Sequence, residues 1–99
     1  MKLKNEFEPI REWATEKGIY DKSDAEKQYE KLDEEVHELF TAILKKDKNE
    51  IADAIGDCVV CLVNVAHLSG LPFEECVNDA YKVISERTGK MVNGVFVKN

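Results

Sequence analysis

QYEKLDEEVHELFTAILKKDKNEIADAIGDCVVCLVNVAHL, residues 28–68, holds two apolar patterns of helical spacing joined by a run of charged residues. In the first, Tyr29, Leu32, Val36, Leu39/Phe40 and Ile43 recur at the i, i+3/i+4, i+7 interval of a helix packed on one side. Ser23 or Asp24 can cap that helix, and Lys45 and Lys46 suit the negative end of its dipole, so the pattern predicts a helix running to about Lys46. The second helix should begin near Asp47 to Asn49 and end at Gly70. Its latter part, CVVCLVNVAHL, is apolar nearly all round, which marks a helix buried on most of its circumference. The β-branched Val59, Val60, Val63 and Val65 also suit a strand. Continuity with the helical spacing of Ile51, Ile55, Cys58 and Leu62 favours helix.

Working outward, a helix is expected from about Lys4 to Lys17, with Phe7, Ile10, Trp13 and Ala14 on one face and Gly18 as its stop. Pro9 can shift the start toward itself. Ile19 to Lys22 reads as a loop. Leu71-Pro72 opens a further helix, Phe73 to about Arg87, with Glu74 and Glu75 in its first turn. In the tail, GKMVNGVFVKN (89–99), Asn93-Gly94 between short apolar runs suits a tight hairpin turn; packing along another subunit is the alternative. The reading is therefore a single all-α domain over residues 1–99, with 89–99 as a C-terminal tail. Its antiparallel helices form a four-helix-bundle core completed by oligomerisation, because an all-round apolar helix needs more cover than a chain of 99 residues supplies. A homodimer or homotetramer is expected.

Apolar residues make up 43% and charged residues 34% of the chain, the balance of a folded domain. The formal net charge of −6 leaves no basic stripe for a nucleic-acid polymer. Carboxylates bridged by divalent cations can still hold a phosphorylated small molecule. MKLKNEFEPIREW lacks the apolar core of a signal peptide, and the run from Cys58 to Leu68 is too short to span a bilayer. A cytoplasmic protein with no membrane partner is the expectation, and three cysteines, an odd number, fit free thiols in a reducing compartment.

The chemistry concentrates in two acidic clusters. Glu34, Glu35 and Glu38 lie in EEVHE, where a 3.6-residue repeat puts Glu35 and Glu38 on one face beside the apolar stripe. Glu50, Asp53 and Asp57 follow at i, i+3, i+7 on the next helix, with Asn64 farther along the same line. Asp57 directly precedes the apolar run and should lie at the mouth of the core. Like charges beside a core repel, and a bound cation removes that cost. If the two helices pack antiparallel, the acidic faces meet, and hard oxygen donors suit Mg²⁺ or Mn²⁺ rather than zinc. Two solvated acidic surfaces are the alternative at this point.

QYEKLDEEVHEL followed by DAIGDCVVCLVNVAHLSGL resembles the MazG-like nucleotide pyrophosphohydrolases of the all-α NTP pyrophosphatase group, over roughly Trp13 to Arg87. The family motif is EExxE, a spacer, then ExxD. Glu34, Glu35 and Glu38 match its first half. Asp57 aligns with the motif's Asp, but Ala54 stands where its Glu belongs; Asp53 shares that face and substitutes for it, with Glu50 in reserve. The resemblance implies Mg²⁺, with Mn²⁺ as a substitute, held by Glu35, Glu38, Asp53 and Asp57. It also implies a water oriented or deprotonated by Glu34 or Glu38, and hydrolysis of a (d)NTP to (d)NMP and pyrophosphate in nucleotide-pool house-cleaning. Lys31, Lys82 and Arg87 are the candidate phosphate contacts, and Trp13 the candidate for stacking on the base, although its spacing with Phe7 and Ile10 favours the core. Phosphoribosyl-ATP pyrophosphohydrolase is the second reading. A non-catalytic helical module with a degenerate site is the third.

Cys58-Val-Val-Cys61 forms a CxxC within an apolar helix, where free thiols acting as small hydrophobes are favoured over zinc. His37 points away from the midpoint of its glutamates, which favours a surface role. Asn64, if buried, needs a hydrogen-bond partner.

Overall fold

The computed structural model describes residues 1–99 as five helices and one hairpin: α1 (Glu8–Glu16), α2 (Ile19–Lys22), α3 (Ala25–Lys45), α4 (Lys48–Leu68), α5 (Phe73–Ile84), β1 (Gly89–Val92) and β2 (Val95–Lys98). The α3–α4 pair is the spine, and local chemistry sets its boundaries. The Asp24 carboxylate accepts the Lys27 N–H at 2.8 Å, which caps α3. Lys46, at φ 57°, ends α3, and Asp47 caps α4 by accepting the Glu50 N–H at 3.1 Å. The connection is therefore Lys46-Asp47 alone, and the two helices are forced antiparallel.

Three boundaries differ from the sequence reading. α1 begins at Glu8 and not Lys4, because Pro9 belongs in a first turn and the segment before it is held elsewhere. The Asn78 amide accepts the Leu3 N–H and donates to the Leu3 carbonyl, both at 2.8 Å. Ile19 to Lys22 is a single helical turn, not a loop, set off by Gly18 at φ 77°. α5 stops at Ile84, short of Arg87, and the chain runs on into the hairpin. There Asn93 at φ 50° and Gly94 at φ 81° form the left-handed pair of a type I′ turn, with Val92 paired to Val95 across it.

Small residues fill the core: Ala14, Ala42, Ala54, Cys61, Val63 and Ala66 are buried. The expected stripe on α3 splits. Leu32 and Leu39 are half-buried alongside buried Ala42, whereas Tyr29, Val36, Phe40 and Ile43 are 47–60% exposed. On α4, Ile55 and Leu62 are exposed as well, so the all-round cover expected for that helix does not come from this chain. By length and composition alone, α4 as a whole is apolar enough to cross a membrane, although its apolar run taken by itself is too short. Here its inner side packs against α3, α1 and α5.

Candidate active site

The α3–α4 hairpin gathers the acidic residues into two clefts that share Asp57. One, of about 490 Å³, has Glu38 and His37 from α3 facing Glu50, Asp53 and Asp57 from α4. The other, of about 430 Å³, lies between Trp13, Gln28, Lys31 and Glu35 on one side and Asp57 and Asn64 on the other. Asp57 is exposed, not sheltered at the mouth of the core as its position before the apolar run suggests.

Glu35 is the unusual member. It is 6% exposed; Lys31 Nζ lies 3.4 Å from its Oε1, and its Oε2 is buried with no hydrogen-bond partner. A desolvated carboxylate oxygen without a donor is costly, and it suits a cation ligand better than a structural role. Glu38, Asp53 and Asp57 are exposed and free to turn. No three carboxylate, histidine or thiol groups already stand at metal-binding spacing, so gathering a cation requires these side chains to rotate toward it. The donor set, all carboxylate oxygen, fits Mg²⁺ or Mn²⁺.

The other sequence candidates separate. Glu34 points to solvent with 68% of its side chain exposed, 3.5 Å from Lys31. Glu35 first and Glu34 after it raise the Lys31 pKa, so that ammonium is the local counter-charge for the acidic face. Trp13 is 45% exposed and lines the second cleft, so the core role favoured by its spacing does not hold. Lys82 and Arg87 line neither cleft: Lys82 is on α5 and Arg87 lies beyond its end. His37, read as a surface residue, is exposed but lines the first cleft. Cys58 and Cys61 are free, and burial first, then the charge of Glu35, pushes both thiols up. They stay protonated, which agrees with the small-hydrophobe reading.

Two long-range features give no signal in the sequence. Arg11 donates from Nη1 and Nη2 to the buried Glu74 carboxylate, both at 2.8 Å, across 63 residues of chain. Tyr20 donates its hydroxyl to Asn64 Oδ1 at 2.7 Å and stacks on His67. A larger opening of about 560 Å³ adjoins Arg11 and His67. The Arg11 guanidinium is already engaged by Glu8 and Glu74, so the opening offers an anionic substrate little beyond His67. The acidic residues gathered by the α3–α4 hairpin lie in the other two clefts.

A family model described as phosphoribosyl-ATP pyrophosphohydrolase matches residues 5–83. The chain is also 39% identical over 57 residues to an uncharacterized 18.2 kDa protein encoded in the rep-hol intergenic region of Haemophilus phage HP1 (strain HP1c1). That stretch is 58% of this chain and 35% of the phage protein, so the chain matches only about a third of that relative's length. No solved structure matches significantly.

Proposed function

The chain belongs to the phosphoribosyl-ATP pyrophosphohydrolase family, within the all-α NTP pyrophosphatase superfamily, and from that premise we propose that it hydrolyses the α–β phosphoanhydride bond of a nucleoside triphosphate. The products are the monophosphate and pyrophosphate. The buried, unpartnered Oε2 of Glu35, a residue that lines a cleft together with Asp57, is the observation that carries this reading. Glu35, Glu38, Asp53 and Asp57 would hold Mg²⁺ or Mn²⁺. Bound there, the cation supplies neutralisation of the triphosphate and acidification of a water.

The chain's own residues do the rest. Water adds to the α-phosphorus, the bond to the bridging oxygen breaks, and that oxygen leaves with pyrophosphate. Of the two glutamates suited to take the proton of the attacking water, Glu38 lines the acidic cleft and Glu34 does not. Glu38 is the proposed base. Lys31 meets the triphosphate from the rim, exchanging a carboxylate partner for a phosphate, and Trp13 offers an exposed indole face to the base. Lys82 and Arg87 have no role in this scheme.

The family match itself favours a second reading, in which the substrate is phosphoribosyl-ATP. One assay separates the two: purified protein with Mg²⁺, a panel of NTPs and dNTPs, and phosphoribosyl-ATP. Pyrophosphate and monophosphate should appear in equal amounts, and none in EDTA. Orthophosphate as the product, or no product from any member, overturns the proposal.

The uncovered stripe of Tyr29, Val36, Phe40 and Ile43 supports self-association, proposed as a homodimer or homotetramer in which α3–α4 hairpins from two chains complete a four-helix bundle. Sedimentation equilibrium at micromolar concentration should give at least twice the 11.3 kDa chain mass. A fully active monomer would reject the bundle.

A further inference from the structure

Asn64 and Gln28 are the two side-chain amides of the second cleft, and each is held through one of its polar atoms. Asn64 is 1% exposed, and its Oδ1 accepts the Tyr20 hydroxyl at 2.7 Å. With the phenol donating to that oxygen, Nδ2 is the end of the amide left for a further partner. Gln28 donates from Nε2 to Ser23 Oγ at 3.1 Å, while Ser23 Oγ is 3.5 Å from the Asp24 carbonyl that can take its proton. Both hydroxyls come from α2 or the residue that ends it, and the Tyr20 ring is fixed by stacking on His67 with centroids 3.9 Å apart. What remains for the cleft is one acceptor, Gln28 Oε1, and one donor, Asn64 Nδ2.

The position of this pair sets what it meets. Asn64 is seven residues beyond Asp57 on α4, about 10 Å along the axis at 1.5 Å per residue. A nucleotide whose α-phosphate lies at the Asp57 end therefore brings its base, past the sugar, to the Asn64 end. Trp13, Ile19, Val60 and Cys61 supply the apolar lining of this cleft. Gln28 is half-buried and neither free amide atom is fully shut off from solvent, so a ligand that pairs both atoms takes the place of water there.

Building on the pyrophosphohydrolase reading, we propose that Gln28 Oε1 and Asn64 Nδ2 form a fixed acceptor–donor pair that reads the edge of the substrate's nucleobase. Tyr20 and Ser23 are positioning residues that hold the two amides in place through their hydroxyls. A site built to hydrogen-bond its substrate rejects partners that leave its polar groups unpaired, so the pair confers base selectivity and not merely affinity.

The test measures binding of α,β-methylene nucleoside triphosphates carrying each of the four bases, with inorganic tripolyphosphate as a base-free competitor. Wild type should rank the bases over about a tenfold range or more. Tyr20→Phe keeps the ring on His67 and removes only the hydroxyl; it should compress that range by several-fold, about the worth of one neutral hydrogen bond. Asn64→Leu should abolish the range, and Tyr20→Phe remains decisive if that variant does not fold. Tripolyphosphate affinity should stay within about twofold of wild type in Tyr20→Phe, since phosphates do not meet the amides. Loss of tripolyphosphate affinity in step with nucleotide affinity overturns the inference, as does an unchanged base ranking. A wild type that releases pyrophosphate yet ranks no base defeats the base-reading pair alone. A wild type that binds no nucleotide defeats the pyrophosphohydrolase reading with it.

Discussion

Glu35→Gln should release no measurable pyrophosphate and yet melt at a higher temperature than the wild type in metal-free buffer. The two effects have one cause. Glu35 is a carboxylate at 6% exposure with one oxygen unpartnered and the other 3.4 Å from a lysine that is itself half in water. An ion buried so incompletely compensated costs several kcal/mol, and a neutral amide of the same shape costs less. The same exchange removes a formal charge from the proposed cation site, where a loss of at least about 10³-fold in turnover is expected. Added Mg²⁺ should raise the melting temperature of the wild type and leave that of Glu35→Gln unmoved, since a ligand stabilises only the state that binds it. Asp57→Asn should be as inactive but gain little stability, because Asp57 is exposed. Near wild-type turnover in both variants would remove these residues from the site. Comparing Asp53→Asn with Glu50→Gln then reads the register on α4. Glu50 is drawn toward Lys45 at 3.7 Å, so its loss should be mild and that of Asp53 severe.

Glu74→Ala should unfold the N-terminal third of the chain, or the whole of it. Glu74 is 1% exposed and accepts two guanidinium N–H groups from Arg11 and the backbone N–H of Phe7, at 2.8, 2.8 and 2.9 Å. Removing it leaves the sheltered Arg11 with only the exposed Glu8 and the Phe7 N–H without its acceptor, a loss of roughly 3–5 kcal/mol as for a broken buried pair, or more than about 12 °C in a domain of this size. The pH dependence follows in sign. Hydrogen bonding to Arg11 lowers the Glu74 pKa from the ordinary 4.5 to about 2. A depressed carboxylate contributes stability that is complete above the unfolded-state pKa and is lost as pH falls toward the folded-state value. The wild type should therefore lose about 3 kcal/mol from this group between pH 4.5 and pH 2. Acid titration of chemical-denaturation midpoints for wild type and Glu74→Gln tests this, with a shallower decline expected in the variant. Parallel declines would show that the pair does not govern acid unfolding.

What the sequence made legible was local. Asp24 and Asp47 cap helices through bonds three residues away, so α3 and α4 begin within a residue or two of where reading puts them. Asn93-Gly94 forms the expected turn for the same reason. The start of α1 was obscured because Leu3 and Phe7 are tied to α5, some 70 residues on, by Asn78 and Glu74. Periodicity identifies a stripe but not what it faces. Tyr29, Val36, Phe40 and Ile43 were legible as apolar, yet α3 turns Glu35 and Ala42 inward with Leu32 and Leu39 half-buried, and these four large side chains remain outside. Trp13 was displaced from core to cleft by the same ambiguity. The acidic clusters were legible as a pair of facing surfaces; that Glu35 alone would be buried, and that Tyr20 would hold Asn64 across 44 residues, depends on packing that no spacing encodes.

The two-residue connection at Lys46-Asp47 divides the site by the entropy of assembling it. Glu35, Glu38, Asp53 and Asp57 all lie on the two helices that this turn joins, so bringing them together closes only a short loop. Trp13 lines the second cleft and Tyr20 holds its Asn64 from a segment anchored by Arg11 to Glu74, a closure of 63 residues. Local opening draws first on contacts of that second kind. Partial unfolding from the N-terminus therefore strips the cleft of its indole and its amide clip while the carboxylate hairpin stays whole, leaving a chain that can gather a cation but no longer tell one base from another.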